Sequence, residues 1–219
     1  MSEIDQAELD RRASLIVEQF EGIHPPYEAF YIRSIAYSAG RARDAFLRFE
    51  AAKAVRDTAD NQVSSIHEAL GHATSLSRFF WPSGLRSRSS AASEKPKAAL
   101  KKLKDARALK LRNAFDLNDE SPLKNRKLRD SLEHFDERLD SYLLKQDCGY
   151  FFPDAMIGDL EAADNPVGHL FKLVDPDRAC FVLLGEAHYF GALRKEVERI
   201  HDLAMTMGCR LRSVRTSTP

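Results

Sequence analysis

The sequence predicts a mainly α protein, an up-and-down helical bundle that ends in a small β-hairpin and a final helix. Three observations support this fold class. Apolar residues recur every three or four positions through the segments before residue 146. Two short β-favouring runs then precede a last segment with helical spacing. Residues 1–146 are therefore expected to form the bundle, and residues 147–219 a hairpin and helix that pack on the same domain.

The first four helices are predicted from their apolar stripes and from the breakers between them. Glu21-Gly22 and the following Pro25-Pro26 end the first helix, and Asp60 is the expected N-cap of the third. A Ser-, Arg- and Gly-containing stretch, residues 81–95, reads as a linker loop. The expected helices span residues 5–20, 26–57, 60–80 and 96–115.

Residues 121–144 are predicted to form one continuous helix. Ser121 is its expected N-cap, and Pro122 suits the first helical position, where its missing N–H costs nothing. One apolar stripe runs along this helix, formed by Leu128, Leu132, Phe135, Leu139 and Tyr142.

The C-terminal part is predicted from loop signals and β-favouring runs. Its expected elements are loops at 148–153 and 164–168, strands at 170–174 and 179–184, a helix at 189–207 and a frayed tail from 210 to 219. Glu186 and His188 stand together at the end of the predicted hairpin, where they either bind a ligand or pack in the structure; packing is the favoured interpretation.

Polar residues cover the rest of the 121–144 helix. Asp130 and His134 lie four positions apart and share a face away from the apolar stripe, whereas Arg129 falls on the opposite flank. The run from Arg129 to His134 resembles the Arg-x4-6-His signature of HEPN domains, and the resemblance covers this one helix. Members of that family are helical bundles that usually pair as dimers, and many are metal-independent ribonucleases of toxin–antitoxin or antiviral systems.

The resemblance implies a catalytic set of His134, Arg129 and Asp130. Metal-free RNA cleavage needs proton transfer at the 2′-hydroxyl and the 5′-oxygen, and positive charge against the phosphorane. Histidine can transfer protons near neutral pH, and arginine grips phosphate with two parallel hydrogen bonds. His134 would be the general acid or base, Arg129 the phosphate stabiliser and Asp130 the orienting group, with Arg126 and Lys127 binding RNA. Two chains would place two such sets around one cleft.

Charge is unevenly distributed in a chain whose net charge is zero. Residues 86–129 hold fourteen Lys or Arg and five acids, a net charge of +9, whereas residues 130–164 hold two bases and ten acids, a net charge of −8. This asymmetry indicates either an anion-binding region or helix faces that complement one another within the bundle. The basic helix lacks interleaved aromatic residues for stacking on single strands.

Other site classes find little support in the sequence. His67 and His72 are five positions apart, not the four of the zinc-protease motif, and we expect no metal and no cofactor. No run of about 18 apolar residues suggests a membrane span, so the expected location is cytoplasmic. Two alternatives to the nuclease remain open. One is a non-catalytic module that partners a nucleotidyltransferase, an antitoxin or a defence-complex subunit. The other is a nucleotide-binding bundle that uses the basic helix.

Overall fold

A computed structural model describes residues 5–82, 94–146, 148–165 and 167–216. For residues 94–97 and 210–216 it describes only the backbone. These ranges confirm a mainly α fold. Seven α-helices and four β-strands are described: α1 Gln6–Phe20, α2 Glu28–Ala54, α3 Ala59–Phe80, α4 Glu94–Ala114, α5 Arg126–Glu133, α6 Phe135–Lys145, β1 Tyr150–Ile157, β2 Gly168–Asp175, β3 Cys180–Leu183, β4 Glu186–Tyr189 and α7 Gly191–Thr216.

The first four predicted helices are confirmed as α1 to α4, although one cap differs. The Asp5 carboxylate caps α1 by accepting a hydrogen bond from the Glu8 N–H at 2.8 Å. Thr58, not Asp60, caps α3, because its hydroxyl accepts from the Asn61 N–H. Most of the predicted linker at 81–95 lies outside the described residues.

One hydrophobic core joins the helices to the sheet. Helix α2 packs along both α3 and α7, and the sheet covers part of α3. The largest fully buried side chains include Phe46 and Phe49 of α2, Ile66 and Leu70 of α3, and Phe181 of β3. Val197 and Ile200 of α7 belong to the same cluster. The sheet and α7 therefore contribute to the same core as the preceding helices.

The sheet is larger than the predicted hairpin. Strands β2 and β3 pair antiparallel as predicted, but β4 adds a third antiparallel strand, and β1 pairs parallel with β2 at the other edge. The prediction of a loop at 148–153 is wrong from Tyr150 onward, where β1 begins. Pro153 read as a breaker there, yet proline is tolerated on an edge strand, and the β1–β2 register shifts between Phe152 and Ala155.

The prediction of one helix over residues 121–144 is also wrong. Pro122–Lys124 forms a short 3₁₀ turn, and α5 then begins with the Asn125 side chain as its cap. His134 has φ −117° and ψ 40°, which separates α5 from α6. The break lets the two halves pack on different partners: Leu128 enters the helical core, whereas the Phe135 ring meets Phe171 of β2 at 5.6 Å.

The final helix is longer and starts later than predicted. Tyr189 still belongs to β4, where it pairs with Cys180, and α7 begins at Gly191. The predicted frayed tail is helical in its backbone as far as Thr216, and residues 217–219 lie outside the described part of the chain. No helix within the described ranges is both long enough and apolar enough to cross a bilayer.

Candidate functional site

The predicted site residues lie on α5 and at its C-terminal end. Arg126, Lys127 and Asp130 are exposed on α5. His134 is partly exposed at the break between α5 and α6, with its Nδ1 3.8 Å from the Glu137 carboxylate. The Asp130 carbonyl accepts the His134 backbone N–H at 3.1 Å, so the main chain joins these two residues.

Arg129 makes contacts that join α5 to the end of α3. Its side chain is only 11% exposed, and its Nη1 donates to the Trp81 carbonyl at 3.1 Å. Its Nε lies 3.8 Å from the Glu133 carboxylate, which also accepts from Arg78 of α3. Arg129 is thus engaged in tertiary contacts, whereas His134 lies by Glu137 of α6.

A polar cavity lies beside α6. Residues 134, 138, 141, 142 and 145 recur at three- and four-residue spacing, which places them along one face of this segment. Opposite that face are β3 and the turn into β4. The cavity measures about 110 Å³ and is lined by Ser131, Arg138, Ser141, Tyr142, Lys145, Leu183, Leu184 and Glu186.

The Glu186 carboxylate is the polar centre of this cavity. Its Oε2 accepts from the Ser131 hydroxyl at 3.0 Å and from Arg138 Nη1 at 2.7 Å. The same oxygen lies 4.0 Å from Nε2 of His188, the next residue but one on β4. Side chains two positions apart on a strand share a face, so Glu186 and His188 both lie on the same face of β4. This alternation was visible in the sequence, but the approach of α6 was not.

His188 is buried without a hydrogen bond on Nε2. The residue is 4% exposed, and no described atom bonds this nitrogen. Burial lowers the pKa of His188 below its ordinary value of 6.5; the Glu186 carboxylate opposes this shift, and the charges of Arg138 and Lys127 reinforce it. The imidazole is therefore neutral at pH 7 and keeps one nitrogen able to donate or accept a proton.

The groups around the cavity suit an anionic ligand. Arg138 and Lys145 supply positive charge, whereas the Ser141 hydroxyl donates to the Glu137 carbonyl at 2.9 Å. Burial raises the pKa of Tyr142, which keeps its hydroxyl protonated, and that hydroxyl reaches the Leu170 carbonyl at 3.4 Å. The arrangement can hold a phosphate-sized anion next to a carboxylate and a neutral imidazole. Within the described ranges no group of three or more His, Cys, Asp or Glu is placed to hold a metal ion.

Two features thus lie side by side: the Arg129–His134 segment and the cavity along α6. The Arg129–His134 segment carries the resemblance to HEPN domains. The cavity along α6 gathers charged groups and hydrogen-bond donors that lie far apart in the sequence. Comparisons of this chain with protein-family models, with curated proteins and with solved structures each found no match.

Proposed function

We propose that this protein is a metal-independent endoribonuclease of the HEPN type that binds RNA along the exposed face of α6. One observation carries the proposal: His134, Arg138 and Lys145 follow one another along that face, beside a cavity that contains Glu186. A histidine and two cations in a row match the needs of phosphodiester cleavage, which are proton transfer and neutralisation of phosphate charge. A toxin or a defence effector is the biological role that the resemblance implies.

In this proposal the phosphate contact belongs to Arg138. Nη1 of its guanidinium donates a hydrogen bond to the Glu186 carboxylate. The side chain is 34% exposed, so the other N–H groups of the guanidinium can reach a phosphate. Arg129, at 11% exposure and bonded to the Trp81 carbonyl, would reach a phosphate only by leaving that contact. Arg129 then acts as a positioning residue that fixes α5 against α3.

Proton transfer is assigned to His134. An imidazole at a partly exposed helix break can take the 2′-hydroxyl proton or return one to the 5′-oxygen. Asp130 orients this segment through its backbone carbonyl, and the exposed Arg126 and Lys127 extend the phosphate contacts. Two copies that join these faces would supply both proton-transfer groups, one from each chain.

Cleavage of RNA by the purified chain with a chelator present tests the proposal. His134→Ala is expected to reduce the cleavage rate by about a hundredfold or more, because general acid–base groups contribute on that scale. His72→Ala, a histidine on α3 outside the α6 face, is the matched control and should keep the wild-type rate. Equal rates for wild type and His134→Ala would end the nuclease proposal.

Two arginine variants assign the phosphate contact. Arg138→Gln is expected to lose cleavage with little change in melting temperature, since its ion pair with the half-exposed Glu186 contributes little to stability. Arg129→Gln is expected mainly to lower the melting temperature, since it leaves the Trp81 carbonyl without its donor and removes one of the two arginines beside Glu133. The reverse pattern would return the phosphate contact to Arg129.

A second candidate is the non-catalytic binding module. Strand β1 lies at a sheet edge and exposes Tyr150 (73%), Phe151 (47%) and Phe152 (43%), and Leu144 at the end of α6 is 86% exposed. An exposed edge with apolar side chains suits a protein partner that adds a strand to it, such as a nucleotidyltransferase or a defence-complex subunit. This module predicts that the wild-type chain leaves RNA intact at every concentration tested.

A further inference from the structure

A second polar groove lies between α3 and the sheet. It measures about 790 Å³ and shares no lining residue with the cavity along α6. Its α3 wall is a polar face at helical spacing that includes Asn61, Ser64, His67 and Ser75, and its sheet wall includes Lys172 of β2. The volume falls within the range of about 300 to 1,000 Å³ that is typical of small-molecule sites.

Lys172 is the unusual residue of this groove. It pairs across the sheet with Leu183, on the face that packs against the helices, where its neighbours Leu183 and Val174 belong to the hydrophobic core. Its Nζ lies 4.9 Å from the centre of the Phe171 ring and 5.7 Å from that of Phe135. Among the residues that the structure describes, no carboxylate lies within 4.0 Å of this ammonium.

A half-buried ammonium without a carboxylate is destabilising. Removing an ammonium from water costs free energy, and contact with aromatic faces recovers only about 0.5 to 2 kcal/mol. Burial accordingly lowers the pKa of Lys172 below its ordinary value of 10.5. An anion bound in the groove would pair with the Lys172 ammonium and so explain why a charge is placed at this position.

The neighbouring groups fit a ligand with hydroxyl groups next to its charge. Burial and the nearby Lys172 lower the pKa of His67, so its imidazole is neutral at pH 7 and can donate or accept one hydrogen bond. The Glu68 carboxylate in the same groove is engaged by Arg41 and Arg48, which neutralises its charge. Asp60, the other acid that lines the groove, is exposed at the start of α3.

We propose that the groove between α3 and β2 binds a small organic anion, a polyhydroxylated phosphate monoester or carboxylate. Its charged end contacts Lys172 Nζ, and its hydroxyls bond to His67 and to Ser64, which lie within one turn of each other on α3. This site does not rest on the nuclease proposal, since its lining residues belong to α3, β1 and β2 and none of them lines the cavity along α6. Phosphate and carboxylate share the chemistry that an ammonium recognises, so the test includes both.

Isothermal titration calorimetry of the full chain at pH 7 with three probes tests the site. Ribose 5-phosphate and gluconate represent the two anion classes, and ribose is the neutral match. At least one of the two anions is expected to bind, whereas ribose is not. The anion that binds more tightly shows whether the groove prefers a phosphate monoester or a carboxylate. Absence of heat for both anions at millimolar concentration would overturn the proposal.

Lys172→Met is the decisive variant. It is expected to weaken anion binding by about tenfold or more, the loss of one charge-assisted hydrogen bond, while the ligand-free melting temperature stays the same or rises. Lys195→Met, on the exposed face of α7, removes the same charge elsewhere and should bind as wild type does. Undiminished binding by Lys172→Met would place the anion elsewhere and refute the assignment.

Two further variants keep the test decisive if Lys172→Met folds poorly. Ser64→Trp places a large side chain in the groove from an exposed position of α3, so it should abolish binding without disturbing the core. His134→Ala should bind the anion normally, because that residue belongs to the nuclease site. Normal binding by Ser64→Trp would overturn the proposal, and loss in His134→Ala alone would move the ligand to α6.

Discussion

Asp175 and His188 are both buried polar residues of the sheet, and their surroundings differ completely. Asp175 is 1% exposed, and its carboxylate accepts from the N–H groups of Leu160, Asp177 and Arg178 and from the Arg178 guanidinium. These donors, the Arg178 N–H foremost, lower its pKa below 3.8. His188, in contrast, has a nitrogen with no described hydrogen bond. The first residue stabilises the β2–β3 turn, and the second lies beside Glu186, 4.0 Å from its carboxylate.

Asp175→Ala is expected to lower the free energy of unfolding by about 2 to 4 kcal/mol at pH 7, because several buried donors lose one acceptor. The depressed pKa makes the wild-type contribution fully present above about pH 4 and lost as pH falls through the folded value. Urea titrations from pH 7 to pH 3 measure both effects. Asp177→Ala, at an 89% exposed side chain in the same turn, is the control and should change stability little.

His188 predicts a second pH effect. Because its pKa is lower in the folded chain than the ordinary 6.5, the unfolded chain takes up the proton first as pH falls. Its stabilising contribution is therefore present above about pH 6.5 and declines below it, by at most about 1.4 kcal/mol per pH unit. His188→Gln should flatten the decline seen between pH 7 and pH 5. His67, whose pKa is also lowered, adds to the same decline, and an unchanged slope in His188→Gln would contradict the assignment.

At the scale of elements, α1 packs on α4 through a close approach of their backbones at Gly22. Gly22 follows α1 with φ +91°, and a Cβ there would lie 2.3 Å from the Arg107 backbone nitrogen of α4. Lys110 of α4 donates to the Phe20 carbonyl at 3.1 Å and so completes the end of α1. Both the conformation and the space at position 22 require glycine.

Gly22→Ala is expected to lower the free energy of unfolding by about 2 to 4 kcal/mol, because a methyl group there is strained in its backbone and collides with α4. Gly71→Ala is the matched control. No atom lies within 4 Å of a Cβ at position 71, in the middle of α3, so this change should stabilise the chain by about 0.5 to 1 kcal/mol. Thermal melts of both variants followed by circular dichroism provide the measurement, and equal shifts would refute this account of Gly22.

At the scale of the whole molecule, the core makes the helices and the sheet depend on one another. Val174, Phe181 and Leu183 of the sheet lie in the same buried cluster as Phe46 and Phe49 of α2. Phe190, directly after β4, stacks on Phe46 with ring centres 5.9 Å apart. Residues so connected lose their contacts together, so we expect the described part of the chain to unfold as one unit.

Two local probes test this cooperativity in urea. Trp81, the single tryptophan, reports the end of α3, and Cys180, buried in β3, reports the sheet by reaction with a thiol reagent. In a Cys148→Ser, Cys209→Ser background the fluorescence and thiol transitions are expected to share one midpoint. Exposure of Cys180 well before the fluorescence change would show that the sheet unfolds separately.

The sequence by itself determined α1 to α4, the β2–β3 hairpin and the mainly α class. Those predictions succeeded because helical periodicity, caps and β-favouring runs act between residues close in sequence. They failed at β1, where an edge position tolerates Pro153, and at His134, where the two halves of a regular stripe pack on different partners.

The tertiary structure alone decided the arrangement of both candidate sites. Arg129 meets a carbonyl 48 positions away, Ser131 meets a carboxylate 55 positions away, and Lys172 faces a helix far from it in the chain. Contacts of that range depend on which apolar faces bury one another, because packing of the core fixes how helices and strands approach. No spacing of residues within one segment encodes that approach, which is why the residues of the motif were visible in the sequence and their surroundings were not.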